Sequence, residues 1–76
     1  MERYVCALSR DDVIELRDLS IPINGQLKGR TIIFEGNNTP KLRGQWAIVQ
    51  KNSGYVLWLD RVLETAPSNG DIIQVI

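Results

Sequence analysis

Apolar residues along this chain fall in short runs broken by clusters of Gly, Asn, Ser and Pro. That pattern predicts strands joined by tight turns. The strand candidates are Arg3 to Leu8, Arg30 to Glu35, Gln45 to Gln50, Tyr55 to Leu59 and Asp71 to Ile76. They are rich in Val, Ile, Tyr, Trp and Phe, the side chains that suit a pleated, half-buried surface. Turn signals stand at Asn24-Gly25, Glu35 to Pro40, Asn52-Ser53-Gly54 and Pro67 to Asp71. Gly and Asn supply the positive-φ positions such turns need. Gln45 to Gln50 and Tyr55 to Leu59 flank one of these turns and read as a hairpin.

Two segments carry a helical alternative. Arg10 to Leu19 reads as a helix if Ser9 starts it and Val13, Ile14, Leu16 and Leu19 share a broad face. It reads as a strand if Ile14-Glu15-Leu16-Arg17 alternates. The strand is preferred, because the proline in Ile21-Pro22-Ile23 keeps the following chain extended. Asp60 to Thr65 suits a short 3₁₀ or α turn before the last strand, with Val62 and Leu63 plugging the barrel end. No repeat, linker or low-complexity tract divides residues 1–76, and the apolar Ile72 to Ile76 end is expected to pair in the sheet. The expected fold is therefore one mainly β domain, a small barrel of about five strands with room for one short helix or helical turn.

Leu42-Arg43-Gly44-Gln45-Trp46-Ala47-Ile48-Val49, then Gly54-Tyr55-Val56-Leu57-Trp58-Leu59, then Leu63-Glu64, run in the order of Gly-started strands, hairpin and short helical turn. This pattern resembles the SH3-like small-barrel architecture over about half the chain, and an OB-like barrel fits it equally. The resemblance implies a fold and no function, since such barrels host many unrelated activities.

In Tyr55-Val56-Leu57-Trp58-Leu59 both faces are apolar, and only one can enter the core of so small a domain. The other needs a cover: a second layer of the same chain, a second copy, or a partner protein. Arg10 to Leu19 or the Ile21 to Leu27 loop would supply a cover from within. Otherwise Trp46, Trp58 and Tyr55, with Lys41 and Arg43 beside them, are expected to anchor an interface.

Composition narrows the chemistry. Nine Lys/Arg balance nine Asp/Glu, and there is no His and a single Cys. That removes His-dependent nucleophile pairs, imidazole metal ligands and any internal disulfide. Cys6, in an apolar run, is expected to be a small buried hydrophobe. No cofactor or metal is expected, and Gly25 to Thr31 has the wrong order for a phosphate loop. The Asn37-Asn38-Thr39 glycosylation match is read as chance. No apolar run approaches the roughly 20 residues that span a bilayer, and the N-terminus carries no secretory pattern. The chain reads as cytoplasmic, with no membrane partner.

Zero net charge hides an asymmetry. Residues 28–51 hold five bases (Lys28, Arg30, Lys41, Arg43, Lys51) against Glu35 alone. Interleaved with Trp46 and Tyr55, they suit nucleic acid or nucleotide binding, whose signature is affinity that falls steeply with salt. Asp11, Asp12, Glu15 and Asp18 form an acidic surface suited to a basic partner; on a helix, Asp11, Glu15 and Asp18 would share a face. The favoured function is a non-enzymatic protein-interaction module. Such a module is an accessory subunit or a small regulator or inhibitor, of the kind phages and plasmids encode, docking on a larger protein or on its own copies. Nucleic-acid binding is the alternative.

Overall fold

Each of the short strands alternates half-buried and buried residues, so a single face of each enters the core. The computed structural model describes residues 2–17, 22 and 24–76. The strands are β1 (Glu2–Arg10), β2 (Val13–Leu16), β3 (Thr31–Phe34), β4 (Trp46–Ser53), β5 (Val56–Leu59) and β6 (Ile72–Val75). They form a closed antiparallel barrel in the order β1-β2-β5-β4-β3-β6, with β6 returning to β1. The small mainly β barrel expected from the sequence is thus the fold observed, with six strands rather than about five. The sixth is β2: Asp11 and Asp12 make a tight turn, Asp11 with φ 56°, and the chain returns as a strand. The helical alternative for this segment is excluded over the described residues. Leu19, Ile21 and Ile23 lie outside them.

Two β-bulges decide which side chains face out. Cys6 registers with Leu16 but Leu8 with Glu15, leaving Ala7 as an extra residue in β1. Val49 registers with Leu59 but Lys51 with Trp58, leaving Gln50 extra in β4. Each extra residue reverses the alternation beyond it. In β4 the reversal turns Lys51 outward and buries Asn52, where a turn was expected. Inside, Asn52 Oδ1 accepts from Leu27 N–H (3.0 Å), and its Nδ2 donates to Gly54 O (2.7 Å).

Leu27 and Leu42, both fully buried, come from the loops before and after β3 and close opposite ends of the core. Leu42 belongs to the one helical turn of the described residues, a 3₁₀ turn over Pro40–Leu42. The helical turn expected at Asp60 to Thr65 is absent, and Val62 is 66% exposed rather than a plug. The reason is local. Asp60 N–H donates to Ile48 O (2.9 Å) and its carboxylate accepts from Ile48 N–H (3.0 Å), so pairing with β4 continues past Leu59 where a helix would have to start. Leu63 alone packs against the core. No helix of the described residues is long and apolar enough to cross a membrane.

A buried carboxylate holds the two loops at the Leu42 end. Asp71 is 1% exposed, yet it accepts from the backbone N–H groups of Asn38, Thr39 and Ser68 (3.0, 3.0 and 2.7 Å) and from the Thr39 hydroxyl. Asn37 completes the seam, its Nδ2 donating to Gly70 O and its Oδ1 accepting from Ile72 N–H, both 2.9 Å. The glycosylation-like triplet is therefore a structural joint.

Burial pushes the Asp71 pKa up, but the four hydrogen bonds outweigh it and hold it below the ordinary 3.8. Its stabilisation is complete above the ordinary aspartate range and is lost as pH falls through the depressed native value. Asp71→Asn should cost about 2–3 kcal/mol, a drop on the order of 10–20 °C in Tm for a domain of this size. The gap between wild type and variant should narrow below about pH 4. Thermal melts from neutral pH down to strong acid check both; a gap that stays constant into acid would refute the assignment.

Candidate functional site

Trp46 opens β4 on the outer side of the barrel and is 47% exposed. It registers with Ile33 of β3, and the next outward row pairs Ile48 with Thr31. On the other flank β5 has ended, and Asp60-Arg61 runs in its place. The Arg61 guanidinium donates to Asp60 through Nε (3.0 Å) and a terminal nitrogen (2.8 Å). Its carbon stands 4.2 Å from the centre of the Trp46 ring. Hydrogen bonds from Arg61 and from Ile48 N–H hold the Asp60 pKa down to about 2, so the pair stays charged at neutral pH. The cation is thus fixed over the indole rather than left to wander.

Arg43 lies three residues before Trp46, within about 11 Å along the chain. It is exposed where the loop after β3 crosses it at Gly36. A Cβ on Gly36 would sit 2.7–2.8 Å from the Arg43 backbone and Cβ, so only glycine permits the crossing. Among the described residues neither Arg43 nor Lys41 has an ion-pair partner. On the far side of Ile33 the charges are already matched. Arg3 forms a two-pronged bond to Glu35 (2.7 and 3.0 Å), and Gln74 adds a third (2.9 Å). The outward strip of exposed Trp46 and half-buried Ile33 and Ile48 therefore has a neutralised flank beyond Ile33, while Lys41 lines a separate pocket with Leu63 and Glu64.

The structure separates several residues that the sequence grouped. Trp58 also points outward but is half-buried, in register with Val13 and with Lys51 Nζ 4.8 Å from its ring centre. Lys51 is five residues beyond Trp46, about 16 Å along the strand, so the two indoles do not share a patch. Tyr55, 46% exposed, sits in the β4–β5 turn.

The five cations of the middle segment divide likewise. Lys28 and Arg30 precede β3, Lys41 and Arg43 follow it at the opposite end, and Lys51 lies toward the first pair, as the Gly29 N–H to Val49 O bond (2.7 Å) shows. Arg30 is engaged by Ile76 O (2.8 Å) and Glu2 (3.4 Å). The acidic residues have no common helix face: Asp11 and Asp12 are in a turn, Glu15 is on β2, and Asp18 lies outside the described residues. Cys6 is fully buried, and burial, with the Asp71 charge behind it, pushes its thiol up to about 12.

Ile33, Ile48 and Arg61 were missed as surface residues. The first two were legible, because Ile33 alternates with the buried Ile32 and Phe34, and Ile48 with Ala47 and Val49. Nothing in the sequence marks Arg61, whose position depends on the ladder running past β5. No family model, curated protein or solved structure matches the chain.

Removing the stacked cation should bare the indole without unfolding the barrel. In a Trp58→Phe background, Arg61→Ala should raise acrylamide quenching of Trp46 fluorescence while the melting curve stays close to that of the parent. Unchanged quenching would mean that the guanidinium does not cover the ring in solution.

Proposed function

We propose that this chain is a non-enzymatic protein-interaction module, an accessory subunit or small regulator that docks on a larger protein through the outer face around Trp46. The observation that carries the reading is the half-exposed indole. It stands in register with Ile33, beside Ile48, on the outside of a barrel whose interior is already filled. Large aromatic side chains of this kind anchor interfaces by seating in a partner's pocket. Arg43, three residues before it and without an ion-pair partner among the described residues, calls for a pocket with carboxylates on its rim, which steer approach and set register.

The separation of the basic residues into two ends favours this reading over a continuous nucleic-acid groove, which needs cations and stacking rings along one path. Each end keeps too few cations for a long phosphate track.

The test is affinity purification from the native host with wild type and Trp46→Ala side by side. Trp46→Ala should lose a stoichiometric protein partner while its Tm stays within a few degrees of wild type, because the indole faces solvent. A variant that keeps the partner, or that melts as far below wild type as a core truncation (about 2–5 kcal/mol), would refute the docking role.

A further inference from the structure

A groove lies away from Trp46. The outside of the β1–β2 hairpin forms a groove of about 440 Å³, lined by Leu8, Ser9, Arg10, Asp11, Val13 and Glu15. Its volume lies in the range of ligand-sized sites, about 300–1,000 Å³. Leu8, 65% exposed, faces outward opposite Glu15, and Val13 faces outward opposite Arg10. The groove therefore combines two outward apolar side chains with two carboxylates against one guanidinium. None of these three charges has an ion-pair partner among the described residues.

This groove and the Trp46 face are complementary. One holds two apolar side chains and a net negative charge; the other is an aromatic knob three residues along the chain from Arg43, which has no ion-pair partner among the described residues. They also stand apart: β5 separates β2 from β4 in the ring, so one molecule presents both at once. With zero net charge, no overall repulsion opposes contact between copies.

We propose that the chain self-associates head to tail, with Trp46 of one copy seated between Leu8 and Val13 of the next and Arg43 facing Glu15 and Asp11. This inference rests on the reading of the Trp46 face as a protein-binding surface, and names the occupant that face takes when no larger partner is present. The contact is heterologous, so repetition yields a closed ring or an open chain. Assembly and docking on a larger protein use the same indole and exclude one another.

The experiment is sedimentation or light scattering at low salt from about 10 μM to 1 mM. Wild type should exceed monomer mass as concentration rises, and added salt should reverse it. Trp46→Ala, lacking the knob, and Leu8→Lys, lacking the groove, should each remain monomeric, with association at least tenfold weaker. Mixed in equal amounts they should form a one-to-one heterodimer, because each retains the half the other lacks. Arg43→Glu and Glu15→Arg should each weaken assembly, and combining them in one chain should restore it. Melting curves matching wild type confirm that the variants fold; Glu15→Arg is the second groove variant if Leu8→Lys does not.

A wild type that stays monomeric to 1 mM, association that survives Leu8→Lys, or a mixture that stays monomeric would overturn the proposal. The two readings fail separately. A monomeric wild type whose Trp46→Ala variant loses a captured partner removes self-assembly and leaves docking intact. A Trp46→Ala variant that keeps both removes docking as well.

Discussion

A ring of six short strands has a single inside, and the return of β6 onto β1 is the constraint behind every other feature. Once the ring closes, each strand commits alternate residues to one narrow core, and the described residues form no second layer over the rest. Ile32, Phe34, Ala47, Val49, Leu57 and Leu59 fill the interior with Leu27 and Leu42 across its ends. Ile33, Trp46, Ile48, Val56 and Trp58 are then outside by parity, whatever their hydrophobicity. The barrel covers its own indoles with what lies at hand: Arg61 over Trp46 and Lys51 over Trp58. A cation covers one face of a ring and leaves the rest of the apolar strip in water. That remainder is the physical basis of the interaction reading.

Closure also restricts how a partner can bind. Every strand of the described residues has two neighbours in the ring, so no whole strand lies at a sheet edge for another chain to extend. On the proposed docking reading, a partner would meet outward side chains and loops, where the few large apolar residues and the unpaired charges stand. The buried carboxylate of Asp71 contributes at one remove. By tying residues 38 and 39 to residue 68 it holds the loop after β3 in place. That loop crosses Arg43 at Gly36 and so helps to set the cation beside Trp46.

Much of the fold was legible because its signals are local. Arg30 to Glu35 and Tyr55 to Leu59 are β-branched and aromatic runs beside turn signals, and the structure places β3 and β5 there. The Asn-Gly and Ser-Gly turns fall between strands as their backbone preferences require. Three features were not legible, each for a non-local reason. The bulges at Ala7 and Gln50 exist because neighbouring strands must twist to close, and a smooth alternation gives no warning of them. The helical turn moved from Asp60–Thr65 to Pro40–Leu42 because Asp60 found its backbone partner on Ile48. The basic middle segment came apart because β3 carries the chain from one end of the barrel to the other between Arg30 and Lys41.

What the sequence by itself determined was the class of object: a small β domain with one core, no histidine chemistry, a buried inert cysteine position, and more large apolar residues than one core holds. These follow from composition and from the period-two rule, which depend only on neighbours along the chain. The tertiary structure alone decided which tryptophan stands exposed, which cation lies over it, and which face is left open. Those outcomes depend on register across the ring and on the two bulges that shift it. Both are set by strands meeting partners that lie as far away in the sequence as Glu2 from Val75.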